Sequence, residues 1–178
     1  FDFVSYDLDK MFSLLAKSNP SVLEWVRSHI VYFNAFPEWQ KFQTDLLTKI
    51  DYHALYHHYL SLAKNGIKVM QTSDNFTYKK VFYVIRGLLS AEIALQYQMP
   101  KLIITELFTQ INQTDPLSQW AQNYLEVKKQ DKEKSQILVT QQQGLLSLLD
   151  KKITALHTAY VQLHKQHDAS SLRHYLTE

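Results

Sequence analysis

Lys79, Tyr83 and Arg86 stand at i, i+4 and i+7, so a helix carries an ammonium, a phenol and a guanidinium along one stripe. The surrounding segment, 77–98, is apolar over most of its circumference, and a cation inside such a helix has to be paired. A phosphate group suits this stripe: Arg offers a rigid donor fork, Lys a point charge and Tyr a hydroxyl donor. The structural alternative is an ion pair from Arg86 to Glu92, Asp7 or Asp9, and the residues alone leave both readings open. Gly87 beside the stripe permits close approach of a ligand or of a neighbouring helix.

A second cluster is histidine-rich. Over 51–64, helical spacing puts Leu55, His58, Tyr59 and Leu62 on one side, with His53, His57, Ser61 and Lys64 on the other. Two imidazoles four residues apart can bind zinc, but the glutamate of an HExxH motif is missing and no third ligand stands out. The structural reading has His53 solvated and His58 at the edge of the core. His157, His164, His167 and His174 are irregularly spaced and read as surface residues. Four lysines between 128 and 134 read as a solvated face, and with no aromatic residue among them they are a weak nucleic-acid signal. No serine sits in a GxSxG turn, and the chain has no cysteine.

The elements that position these groups read as almost entirely helical. Asp7 and Asp9 suit the first turn of a helix carrying Leu8, Met11, Phe12 and Leu15. Asn19 and Pro20 stop that helix and start another, with Ser21 and Glu24 at capping-box spacing. His29 to Tyr32 reads as a brief extended piece, and Pro37 opens an amphipathic segment to about Lys49. Asp51 caps the next helix, with Gly66 placed as its C-terminal stop and 71–76 as a polar loop. The 77–98 segment is expected to be the central, most buried helix. Shorter helices follow over 102–111 and 115–127, and from Leu145 a face of Leu149, Ile153, Leu156, Tyr160 and Leu163 runs towards the C-terminus.

Composition supports this reading. Three Gly and four Pro among 178 residues, where average usage would give about twenty, argue against turn-rich β architectures and leave no Gly-rich phosphate loop. The net charge of +2 is no polycation for duplex DNA. No apolar run approaches the length of a membrane span. The fold class expected is mainly α and bundle-like, with at most one or two short strands, at the extreme N-terminus and near Ile30 to Tyr32.

Three blocks belong together. The first runs from Phe1, Asp2 and Phe3 through Tyr6, Asp7 and Leu8 to Ser18-Asn19-Pro20 and Leu23-Glu24-Trp25. The second covers Tyr56-His57-His58-Tyr59-Leu60, and the third is Lys79-Lys80-Val81-Phe82-Tyr83-Val84-Ile85-Arg86-Gly87-Leu88-Leu89. This set resembles the predicted stand-alone nucleotidyltransferases of the DNA polymerase beta superfamily, a bacterial and phage family linked to RNA repair. The resemblance implies a cytoplasmic enzyme that moves a nucleoside monophosphate from an NTP to RNA or another hydroxyl acceptor, using two Mg²⁺. It also implies that Lys79, Tyr83 and Arg86, joined by His57 and Lys64, face one nucleotide-binding cleft. In that superfamily a third metal carboxylate sits on a strand between apolar residues, and Asp2 between Phe1 and Phe3 has that pattern.

The Gly-Ser and Asp-x-Asp motifs of the superfamily's catalytic head are not found here; Asp7 and Asp9 belong to the first helix. The chain is therefore expected to be the C-terminal portion of such an enzyme, inactive alone, because one carboxylate cannot clamp two metal ions. Residues 1–4 would be a remnant of the head's sheet, 5–134 the helical substrate-side domain, and 135–178 a helical extension. The rival expectation is a non-enzymatic helical protein-interaction module, suggested by the amphipathic C-terminal helix and the lack of a complete site.

Overall fold

The computed structural model describes residues 5–31, 37–130, 132 and 134–175, with backbone alone from 164 onward. Eight α-helices and one short 3-10 turn lie among the described residues. They are α1 (Leu8–Ala16), α2 (Pro20–Val26), α3 (Trp39–Leu47), α4 (Tyr52–Ser73), α5 (Tyr78–Leu95), α6 (Ile104–Leu107), the turn Phe108–Gln110, α7 (Pro116–Lys129) and α8 (Val139–Tyr175). The fold is mainly α. Among the described residues no strand forms, and an isolated antiparallel bridge joins Thr77 to Gln136. Ile30 and Val31 are irregular and exposed, so the extended piece expected there pairs with nothing described. Residues 1–4 and Tyr32 lie outside the described residues.

Side chains that reach back to orphan N–H groups start most of these helices. Asp7 accepts from Lys10 N, Asp51 from His53 and Ala54 N, Thr77 from Lys80 N, and Asp115 from Leu117 and Ser118 N. Asn19, not Ser21, caps α2, with Pro20 in its first turn. Ser18 closes the α1–α2 corner in the left-handed region (φ 50°), and its Oγ accepts from Asp51 N at 2.9 Å.

The antiparallel α4–α5 pair is the most extensive contact in the molecule. Helix α5 is its buried axis, with Val81, Ile85, Leu88, Leu89, Ala91 and Ile93 fully inside. Gly66 does not end α4, which continues about two turns and closes at Asp74 in the left-handed region (φ 47°). A Cβ on Gly66 would stand 2.7 Å from Val84 Cγ2, and one on Gly87 would stand 3.3 Å from Ala63 Cβ. Both glycines therefore let two helices approach closely, and the 71–73 stretch expected as loop is helical. Helix α8 begins at Val139, earlier than its apolar face suggests, and Leu145, Leu149 and Leu156 join the same core as α4, α5 and α7. Each buried aliphatic side chain of this kind contributes about 1.5–3 kcal/mol.

Lys152 pins α8 to that core. Its Nζ lies 2.7 Å from Glu92 Oε2 of α5 and 2.6 Å from Asp115 Oδ2, the cap of α7. Burial favours neutral forms on both sides, but the mutual hydrogen bonds win. The Asp115 carboxyl is held below its ordinary pKa, and the Lys152 ammonium above its own.

Candidate functional site

Where α2 leans on the α4–α5 pair, a cleft of about 470 Å³ opens to solvent. Pro20, Ser21 and Glu24 come from α2, Tyr59, Leu62, Gly66 and Val69 from α4, and Lys80, Tyr83, Arg86, Gly87 and Ser90 from α5. The two close-packing glycines thus also form its floor. Its walls are largely apolar, with a few convergent polar groups, the usual make-up of a small-molecule site.

Glu24 is the hub of those polar groups. Its Oε1 accepts from the Tyr59 hydroxyl at 3.2 Å and lies 3.5 Å from an Arg86 terminal nitrogen. Arg86 also donates to the carbonyl of Leu102 at 3.4 Å. Burial first, then the Glu24 charge and its hydrogen bond, push the Tyr59 phenol well above its ordinary pKa, and Arg86 and Arg27 only partly offset this. Tyr59 therefore stays protonated and serves as a donor. Behind it, Arg27 donates to the carbonyl of Pro100 at 2.9 Å, tying α2 to the loop after α5.

The Glu24–Arg86 contact is long and half-exposed, with side-chain exposures of 32% and 26%. Arg86 can therefore turn a donor outwards without leaving a fully buried carboxylate behind. Tyr83 is 57% exposed on the cleft rim, and Lys80 lies one turn before it on the α4 side. Two cations and a phenol above an apolar floor can bind a phosphorylated ligand.

The ion-pair partner of Arg86 is thus Glu24, not Glu92, Asp7 or Asp9; Glu92 is engaged by Lys152. Of the stripe expected from spacing, Tyr83 and Arg86 line the cleft, whereas Lys79 does not and Lys80 does. Lys79 is half-buried and has interactions of its own. Lys64 and His57 are exposed on parts of α4 turned about 200° from the cleft-lining Leu62 and Tyr59. His57 packs instead against Tyr56 and Tyr160, with ring centroids 4.9 and 4.8 Å away. His53 meets the Tyr97 hydroxyl at 3.4 Å and the Tyr160 ring, so the histidine face of α4 is a contact surface towards α8. Leu62, placed by helical spacing on one side with Leu55 and Tyr59, is 55% exposed in the cleft wall.

Asp2 lies outside the described residues. Among the described residues, no group of three or more His, Asp or Glu side chains could hold a metal ion. The one carboxylate lining the cleft, Glu24, is already engaged by Tyr59 and Arg86. These residues by themselves do not fit a two-metal centre. Sequence reasoning missed Glu24, Tyr59 and Lys80 as cleft residues. The available signal was Glu24 itself, a single charge in the otherwise apolar run Val22-Leu23-Glu24-Trp25-Val26.

A mainly helical chain with a cationic cleft of this kind is consistent with the resemblance drawn from the sequence blocks. The whole chain, residues 1–178, matches RlaP, the RNA repair pathway DNA polymerase beta family, and belongs to it. It is also similar to the uncharacterized protein YcgL of Bacillus subtilis (strain 168), at 29% identity over 133 residues. That alignment takes in 74% of this chain and 51% of the relative, so the chain spans about half the length of the curated relative it matches. No solved structure matches.

Proposed function

We propose that these residues form the nucleotide-side wall of a nucleotidyltransferase that moves a nucleoside monophosphate from an NTP to a hydroxyl acceptor, RNA being the acceptor in keeping with the family. The observation that carries this reading is the pair Lys80 and Arg86, converging with Tyr83 on an apolar cleft in a chain of this family. In this scheme Arg86 and Lys80 neutralise and orient the triphosphate, and Tyr83 adds a hydroxyl donor at the rim. Glu24 and Tyr59 hold the Arg86 guanidinium ready, so little ordering is left for the moment of binding. The acceptor oxygen attacks the α-phosphorus, the bond to the bridging oxygen breaks, and pyrophosphate leaves. Two Mg²⁺ would supply charge neutralisation on the reacting phosphates. Their carboxylates, in this reading, are Asp2 and residues outside the 178 described by this sequence.

The test is label transfer from an α-phosphate-labelled NTP to an oligoribonucleotide by the full-length protein with Mg²⁺. Covalent label and released pyrophosphate are expected, lost on Asp2→Asn with the melting temperature unchanged. Residues 1–178 alone, verified by intact mass, should give no transfer. A full-length protein inert with all four NTPs would overturn the reading and favour the helical interaction module.

A further inference from the structure

On the other flank of α5 lies a groove of about 470 Å³ between the starts of α5 and α8 and the outer face of α7. Its wall is a file of nearly parallel aromatic rings. Phe82 stacks on Tyr124 (4.2 Å between centroids, 18° between planes), Tyr124 neighbours Trp120 (6.3 Å, 11°), and Trp120 faces Tyr78 (6.0 Å, 20°). The inner pair, Phe82 and Tyr124, is buried, whereas Tyr78 and Trp120 are only half-buried and line the groove. The opposite wall includes Gly144 of α8, where an added Cβ would meet nothing within 4 Å. The groove is therefore open space beside a ready-made stacking surface.

The lysines left over from the sequence converge on the same end of the molecule. The chain after α7 turns back at once: Lys132 N donates to the carbonyl of Val127, and Tyr78 N to that of Ser135. This return brings the backbone at Ser135 up to Tyr78 and that at Lys132 up to the end of α7, in a run where Lys128, Lys129, Lys132 and Lys134 outnumber Asp131 and Glu133. No aromatic residue is interleaved with these lysines in sequence, but the fold supplies Tyr78 and Trp120 from two other helices.

We propose that this groove binds single-stranded nucleic acid, with a base stacked on Trp120 and Tyr78 and the backbone phosphates against Lys128, Lys132 and Lys134. Charge complementarity selects this occupant, because aromatic faces flanked by ammonium groups suit a strand that exposes both bases and phosphates. A duplex hides its base faces and does not fit. Lys80 and Tyr83 of the candidate cleft begin within two turns of Tyr78 on the same helix, so a strand in the groove has its continuation close to that cleft. That the strand is the acceptor rests on the transferase reading above; that the groove binds it does not.

The experiment is fluorescence anisotropy of a labelled twelve-nucleotide single strand, of roughly the site size such proteins use, with the full-length protein and no NTP. Trp120→Ala should weaken binding about tenfold or more, as loss of one stacking partner does. Lys132→Gln with Lys134→Gln should flatten the salt dependence by about 1.4 in slope, two phosphate contacts on a single strand. Gly144→Glu fills the groove with a like charge to phosphate and should abolish binding, while Gly144→Ala leaves it intact; neither touches the core. Equal affinity of wild type and Gly144→Glu overturns the proposal, as does a duplex of the same length binding as tightly as the strand. So does a groove closed by a second copy or another part of the chain, which Gly144→Glu would reveal as a changed oligomeric state or a lowered melting temperature. Loss of transfer with strand binding retained would count against the transferase reading alone, and transfer retained with no strand binding against the groove alone.

Discussion

Two charge clusters flank α5, and they differ in how completely they are closed. Lys152 sits between Glu92 and Asp115 at 2.7 and 2.6 Å and is 11% exposed. Arg86 meets Glu24 at 3.5 Å with both side chains about a quarter to a third exposed, and the pair borders an open cleft. The first cluster joins α5, α7 and α8 and spends two of the three ammonium donors on short contacts to carboxylates, although Glu92 and Lys152 also line a groove between α5 and α8. The second leaves donor capacity pointing into a cavity. Similar residues therefore form a rivet in one place and, in the reading proposed above, a recognition site in the other, and contact distance with exposure separates the two arrangements.

Removing each cation in turn breaks or sharpens that distinction. Lys152→Met strands two partly buried carboxylates and should cost about 3 kcal/mol, the lower end for a broken buried pair. Arg86→Gln should cost about 1 kcal/mol or less, as half-exposed pairs do. Urea unfolding of both variants measures this, and equal losses would erase the difference between the clusters.

The next effect is on pH dependence. Asp115 titrates below its ordinary value in the fold, so its contribution is present above the unfolded pKa and is lost as acid takes the pH down through the folded one. Lys152 titrates above its ordinary value, so its contribution is complete below the unfolded pKa and fades as the pH rises through the folded one. Urea midpoints should fall at both extremes, and Lys152→Met should flatten both limbs. Unchanged limbs in that variant would mean other groups set them.

A smaller effect probes the glycines that bring α4 and α5 together at the cleft floor. Gly66→Leu should destabilise by about 1–3 kcal/mol through overpacking against Val84. Val84→Ala in the same chain should recover part of that loss, because it removes the atom the new side chain strikes. Calorimetric melting of the single and double variants checks both.

Local chemistry was the legible part of the sequence. Asp7, Asn19, Asp51, Thr77 and Asp115 all cap helices because a cap depends on residues only two or three positions apart. The buried character of α5 was readable from its near-continuous apolar surface. Gly66 was not, since a glycine past a helix end and a glycine at a helix crossing look the same without the partner helix. The early start of α8 was hidden because Gln141 to Gly144 carry no apolar period, the first turns being anchored instead by Ile137 and Leu145. Arg86 was recognisable as a cation needing a partner, but Glu24 lies 62 positions earlier on a helix whose placement no periodicity encodes. No local pattern marks Lys152 either, both its partners being distant in sequence. Lys79 was preferred over Lys80 by stripe geometry, but the cleft opens on the α4 side of α5, where Lys80 points.

That last contrast gives the most direct measurement of the central claim, that the cleft of Glu24, Tyr59, Lys80 and Arg86 holds the nucleotide. Equilibrium binding of an NTP to the full-length protein, compared across Lys79→Gln, Lys80→Gln and Arg86→Gln, decides it. The cleft geometry predicts a rise in Kd of about tenfold or more for Lys80→Gln and Arg86→Gln, the size expected for lost charge-assisted hydrogen bonds, with Lys79→Gln close to wild type. Unchanged affinity in Lys80→Gln and Arg86→Gln, with only the melting temperature lowered, would contradict it and leave the Glu24–Arg86 pair as a structural contact.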